Sequence, residues 1–223
     1  MARRTQLQLA ATRETLLAAG RTVFAEKGYA NAQIAEIARA AGVGISSFYG
    51  QFTDKEDLYL IIVDELLGDL RQRVAAVRAG AERQDALALL ATTRRVYDIV
   101  FSLVAEQPQI MQSLLRSGFN ATPVAEQRIW QALEAIIGDL DADLARAEAL
   151  GALQLASRRD FSLALLGMIL QLMRRMVREG APTPAAAAQL CTRMTLGGLI
   201  VHMPTPDFAM PLLRGLPKAL TEE

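Results

Sequence analysis

The stretch Ile34–Phe52, IAEIARAAGVGISSFYGQF, carries two short helix-like patterns with a glycine between them. That spacing narrows the fold more than any other feature of the chain. Ala38 offers a small side chain where two helices would cross most closely. Gly42 can take the positive φ of a tight interhelical turn, which other residues resist. Val43 and Phe48 would then plug the second helix onto the first, with Ile34 and Ile37 below. Once those faces turn inward, Gly44, Ile45, Ser46, Ser47, Tyr49 and Gly50 point outward, where they would enter a major groove. None of the six is charged.

The flanking sequence is helical as well. From Gln6 to Lys27, the residues Leu9, Leu16, Leu17, Val23 and Phe24 recur at helical spacing until Gly28 stops them. Thr53 stands three residues before Glu56, a capping-box spacing that predicts the start of a fourth helix. Later segments run from about Asp85 to Glu106, then through PQIMQSLLRSG, then from Thr122-Pro123 onward. Ser157 with Asp160 opens a helix over 158–179 that Gly180 ends, and Thr183-Pro184 opens another over 184–202. The tail from Met203 has four prolines and reads as mostly irregular. No segment alternates cleanly as a strand, and no internal repeat is visible.

Global charge gives no hint of a polyanionic partner, because Lys+Arg and Asp+Glu both total 24. Residues 1–57 hold seven basic and six acidic side chains, hardly a basic patch. Cys191 is the single cysteine, so no intramolecular disulfide can form, which fits a reducing compartment. The opening residues have no apolar core of signal-peptide length, and FSLALLGMILQLM is too short to span a bilayer. The expectation is a cytoplasmic protein that does not enter a membrane. Catalytic equipment is thin: His202 is the only histidine and lacks a carboxylate at ligand spacing. Cys191 has no basic neighbour nearer than Arg193, and no phosphate loop, metal-ligand pair or triad appears. Asp139, Asp141 and Asp143 read as a solvated helix face. No enzyme activity, no metal and no cofactor are therefore expected.

The head resembles a known family. FAEKGY (Phe24–Tyr29), IARAAGV (Ile37–Val43) and YGQFTDKEDL (Tyr49–Leu58) look like the DNA-binding head of TetR-family transcriptional regulators, over Thr12–Tyr59, about a quarter of the chain. The resemblance implies an all-α fold: an N-terminal three-helix head with a helix-turn-helix over 1–57, and a larger C-terminal helical ligand-binding and dimerisation domain over 58–223. It implies a double-stranded DNA operator, a small-molecule effector and a homodimer through helices near 158–179 and 184–202. There, Leu163, Leu166, Leu170, Met173 and Val177 form one stripe, and Ala188, Cys191, Thr195 and Gly198 offer a thin face for close packing.

Position by position, the resemblance makes Ser47 and Tyr49 phosphate-binding hydroxyls and Lys55 a phosphate clamp at a helix start. Gly44, Ile45 and Ser46 fall where base edges are touched. The chain departs from the family at Ile45, often basic, and at Gly50, often polar. The usual hydroxyl at the start of helix two is replaced by Ala32-Gln33, which makes Gln33 the substitute contact. Without an arginine here, bidentate guanine reading is absent, and Ile45 is left to pack on a thymine methyl. Arg3 and Arg4 could serve as a basic arm reaching a minor groove.

For the effector pocket the candidates are Tyr97, Phe101, Met111, Leu115, Phe119, Trp130, Leu133, Met168 and Leu172. Asn120, Gln131, Arg116 and Glu134 are weaker polar anchors. The Met, Leu and Ala content favours an apolar or amphipathic effector, and the resemblance implies that the protein acts as a repressor. The competing reading is a helical small-molecule-binding protein whose DNA affinity has weakened or vanished.

Overall fold

The structure, a computed structural model, describes residues 2–79, 86–117, 121–149, 151 and 153–203. Among them the regular elements are all α-helical. In chain order these are α1 (Ala2–Asn31), α2 (Ile34–Ala40), α3 (Ile45–Tyr49), α4 (Lys55–Ala79), α5 (Ala86–Glu106), α6 (Pro108–Ser117), α7 (Pro123–Ala149), α8 (Arg158–Glu179) and α9 (Pro184–Ile200). They form two compact units, Met1–Gly68 with Gln107–Gln131, and Asp69–Glu106 with Ala132–Glu223. Helices α4 and α7 contribute residues to both. No helix among the described residues is long and apolar enough to cross a membrane.

Local chemistry sets the helix limits. Ser157 accepts from the Asp160 N–H at 3.2 Å, Thr183 from the Ala186 N–H at 3.3 Å, and Thr122 from the Ala125 N–H at 3.1 Å. Each hydroxyl satisfies one of the donors that a helix start leaves unpaired. Gly180 ends α8 in the left-handed conformation, φ 67°. One cap differs from its expected position. At α4 it is Asp54, not Thr53, that accepts from the N–H three residues on, Asp57 N at 2.8 Å. Asp57 in turn accepts from Thr53 N at 3.0 Å, while Glu56 accepts from the Thr122 hydroxyl. Helix α4 also runs on to Ala79, because Gly68 has helical neighbours and no turn chemistry around it to end the run.

In the first unit, α1 is broken at Gly28 (φ 75°, ψ 161°), where the sequence pattern stops. Phe24, Tyr29 and Tyr59 cluster beside the break, with the Phe24 and Tyr59 rings 5.2 Å apart edge to face. Helices α1 and α4 approach so closely at Gly20 that an added Cβ would stand 2.8 Å from Leu58 Cδ2. Helix α6 packs on α1 and buries Ile110, Met111, Leu114 and Leu115 on one face. Sequence reading left α6 in the body, but its apolar face belongs to the core around α1. The turn between α2 and α3 places Gly42 at φ 69°, and Val43 N donates to Ala38 O at 3.0 Å.

In the second unit, α9 packs chiefly on α5 and also on α8. Its small residues Ala187, Ala188, Cys191, Thr192 and Thr195 are all buried. That corrects the expected thin face: Ala188, Cys191 and Thr195 are small so that α9 can approach the core of its own chain. Met173 of the α8 stripe is likewise buried, whereas Leu163 is exposed.

Two outcomes follow. Replacing Gly42 by Ala forces a side chain into a left-handed backbone, and should lower unfolding free energy by about 1–2 kcal/mol in urea titrations. The second concerns Cys191, whose thiol burial pushes up to about 12 from an ordinary 9.0. Its folded value lies above its unfolded one, so the stabilisation is intact below about pH 9 and is lost as pH rises toward 12. The urea midpoint should fall between pH 8 and pH 10.5, and by less in Cys191→Ala.

Candidate nucleic-acid interface and ligand cavity

Helix α3 begins at Gly44, whose extended backbone (φ −77°, ψ 156°) turns the chain into the helix. Phe48 is its fully buried anchor, with its ring 5.5 Å from Phe52 and 5.6 Å, edge to face, from Tyr49. The Arg13 guanidinium lies 4.7 Å over the Phe52 ring, and its Nη1 donates to Gln51 O at 3.1 Å. This inward packing leaves Ile45 and Tyr49 48% and 58% exposed. Gly44, Ser46 and Gly50 are exposed as well, and Ser47 is half-buried. Gln33, at the N-cap of α2, is exposed, with its backbone N–H held by Glu36 Oε2 at 3.3 Å. The outward set expected from sequence is therefore the accessible surface of α3.

Lys55 is different. Its Nζ donates to Tyr29 O at 2.8 Å, Ala32 O at 3.0 Å and Ala30 O at 3.4 Å, and stands 4.4 Å over the Tyr29 ring. An ammonium has three donors, and three carbonyls engage them. Partial burial holds its pKa below the ordinary lysine value. The phosphate-clamp expectation is thus revised: in this arrangement Lys55 has no donor left for a phosphate, and it fixes the α1–α2 junction.

The other cations of the head are largely occupied. Arg21 pairs with Glu65 and Lys27 with Glu36, each at 2.5 Å, and the Lys27 bond holds the Glu36 carboxyl below its ordinary range. Arg39, exposed at the end of α2, makes no hydrogen bond or ion pair among the described residues, and sequence reading passed over it. Arg3 and Arg4 belong to the first turn of α1 rather than to a separate arm, and their side chains lie outside the described residues.

Wholly within the second unit lies a cavity of about 160 Å³. Residues of α4, α5, α7, α8 and α9 line it, with aliphatic walls that include Val96, Val100, Ile137, Leu144, Leu165 and Leu199. Inside, the Tyr97 hydroxyl and Thr195 Oγ1 are 2.5 Å apart, joining α5 to α9. Burial pushes the Tyr97 phenol up to about 12. Arg71, Arg78, Asp139 and Asp143 also line the cavity. Arg78 bridges Asp139 at 3.3 Å and Asp143 at 3.2 Å. Asp141 instead accepts from Ser162 Oγ at 2.8 Å. These aspartates are more than a solvated face: Asp139 and Asp143, four residues apart, share one side of α7.

Of the nine pocket candidates, Tyr97 alone lines this cavity. Met111 and Leu115 are core residues of the first unit, and Trp130, also in that unit, is 46% exposed. Phe101 and Leu133 are buried in the packed interior of the second unit. Met168 and Leu172 are half-buried on α8, off the wall formed by Leu165, Leu166 and Ile169. Phe119 lies outside the described residues, as does Asn120. Glu134 pairs with Arg159 at 2.5 Å. The cavity is walled instead by Val, Ile and Leu that look like ordinary core in sequence.

Comparison with known proteins agrees with this arrangement. Residues 16–62 match the family described as bacterial regulatory proteins, tetR family. A Haemophilus influenzae protein named an uncharacterized HTH-type transcriptional regulator is 34% identical over 106 residues, 47% of this chain and 49% of that protein. The HTH-type transcriptional repressor BepR of Brucella suis is 41% identical over 61 residues, 27% of this chain and 29% of that protein. The chain thus spans about half or less of the length of these curated relatives. The fold resembles Bacillus subtilis FadR, a transcriptional regulator solved in complex with stearoyl-CoA, with a TM-score of 0.69 and 19% identity over 83% of this chain and 98% of that one. With a helix-turn-helix whose outward face is accessible, residues 16–62 are similar along their length to the head of the tetR family of bacterial regulatory proteins.

Proposed function

We propose that this chain is a transcriptional regulator of the tetR kind, a ligand-released repressor that binds a pseudo-palindromic operator as a homodimer. The observation that carries the DNA reading is the uncharged, accessible surface of α3, with Ile45 and Tyr49 exposed around the buried Phe48. Tyr49, Ser47 and Gln33 would bond phosphates, and Arg39 is a further phosphate candidate. Ile45 would contact a thymine methyl, with Gly44 and Ser46 close to the base edges. Direct reading of this kind is sparse, so groove shape and half-site spacing would carry much of the specificity. The name of the Brucella suis relative supports repression over activation.

The homodimer reading rests on exposed apolar residues of the second unit. On α9, Leu190, Met194 and Val201 are 45%, 59% and 76% exposed, and Gly197 lies on the same side at steps of four, three and four. On α8, Leu163 is 42% exposed and Gly167 is open. An isologous pair would cover both stripes and hold two α3 helices at a fixed separation. The effector would occupy the cavity lined by Tyr97. It would release DNA by binding the DNA-incompetent state more tightly than the competent one. A stearoyl-CoA complex in a structural neighbour is consistent with an apolar or amphipathic effector.

The hypothesis predicts a mobility shift with the chain's own promoter DNA at low salt, weakening at higher salt. No shift even at low salt would sink it and favour the ligand-binding protein without DNA affinity. Tyr49→Phe should weaken binding about tenfold on every operator variant, because it removes a hydrogen bond to a charged phosphate. Ile45→Ala should change preference at one base pair instead. Unchanged binding in both would place the reading surface elsewhere. For the dimer, Met194→Glu should yield a folded monomer by sedimentation and abolish the shift; a persisting dimer contradicts the α8–α9 interface.

A further inference from the structure

The walls of the cavity and its charges ask for different parts of one ligand. Much of its polar lining is already engaged: Tyr97 is bonded to Thr195, and Ser162 to Asp141, while Thr92 and Thr93 are half-buried on α5. Against walls this aliphatic, a sugar or polyol would lose more hydrogen bonds to water than it could replace. The walls are aliphatic, and a volume near 160 Å³ accepts an apolar body of about six to ten carbons when one end stays outside.

The charged side chains sort differently. Arg78 is held by Asp139 and Asp143, and Asp143 also accepts from Arg146. Arg146 itself stands outside the cavity lining. Arg71 also lines the cavity and is exposed, which sets it at the opening. Among the described residues it has no hydrogen bond or ion pair. The lining charges balance, but both aspartates are engaged by Arg78, which leaves Arg71 as a guanidinium open to an incoming group beside an apolar interior. An amine would meet that charge unfavourably, an alcohol would ignore it, and a carboxylate would match the planar guanidinium.

We propose that the cavity binds a medium-chain aliphatic carboxylate, with its chain among the Val, Ile and Leu walls and its carboxylate on Arg71. The inference rests on the reading of this cavity as the effector site, and it names the class of effector. The ion pair forms at a solvent-facing opening, so its contribution is modest and the chain supplies most of the affinity.

Calorimetric titration of the full chain with octanoate, 1-octanol and octylamine tests this. Octanoate should bind about fivefold more tightly than 1-octanol, and octylamine should bind most weakly. Arg71→Gln should bring octanoate to the level of 1-octanol while leaving 1-octanol and the thermal melt unchanged, since the side chain is exposed. A preference for octylamine, equal binding of acid and alcohol, no binding of any, or an acid preference that survives Arg71→Gln would overturn the proposal. A parallel mobility shift separates the two readings. Operator binding without an acid preference rejects the effector class and leaves the repressor standing. An Arg71-dependent acid preference without operator binding does the reverse.

Discussion

A helix that breaks at a glycine leaves carbonyl groups facing away from any helical donor, and they must find partners elsewhere. Here the break at Gly28 is followed at once by α2, so the carbonyls of Tyr29, Ala30 and Ala32 lie in the joint on which the recognition elements turn. Lys55, the first residue of α4, supplies all three with one ammonium while stacking on the Tyr29 ring. One side chain thereby ties the end of α1, the entrance to α2 and the start of α4 together. The α2–α3 turn and the Phe48 plug hold α3 against α2, but this joint sets where that pair sits on α1 and α4. A residue that looks from sequence like a ligand for DNA is a fastener for the helices around it.

The same pattern recurs among the other cations of the head. Arg13 stacks on Phe52, Arg21 pairs with Glu65, and Lys27 pairs with Glu36. Positive charge is used to position helices before it reaches solvent. This leaves an accessible surface made of an isoleucine, a tyrosine, serines and glycines. Such a surface offers fit and hydrogen bonds but little long-range attraction for a polyanion.

The helix-turn-helix was legible in the sequence because its determinants are local: a small residue, a left-handed turn and a plug within a dozen positions. Helix starts marked by Ser157, Thr183 and Thr122 were legible for the same reason, while the α4 cap was displaced by one residue because adjacent Thr53 and Asp54 both qualify. The cavity was not legible. A Val or Ile lining a void and one filling a core have the same sequence pattern, and only the relative rotation of five helices tells them apart. Trp130 and Met111 drew attention by their chemistry, yet a tryptophan can sit half in water and a methionine can fill an ordinary core. The Asp139–Asp143 pair did have a readable signal in its spacing of four, but its partner Arg78 lies on another helix, far away in sequence.

Helix α9 commits one side to its own core through alanines, a cysteine and threonines, and presents leucine, methionine and valine on the other. A helix constrained on two sides has few positions at which sequence can drift without consequence. Enlarging Ala188 would push it off α5, and a charge at Leu190 or Met194 would spoil whatever covers them. In the proposed homodimer, recognition of self against similar chains would be written in a very short alphabet, the outward apolar positions Leu190, Met194 and Val201. Whether two such regulators mix or stay separate would turn on differences of one or two methyl groups there.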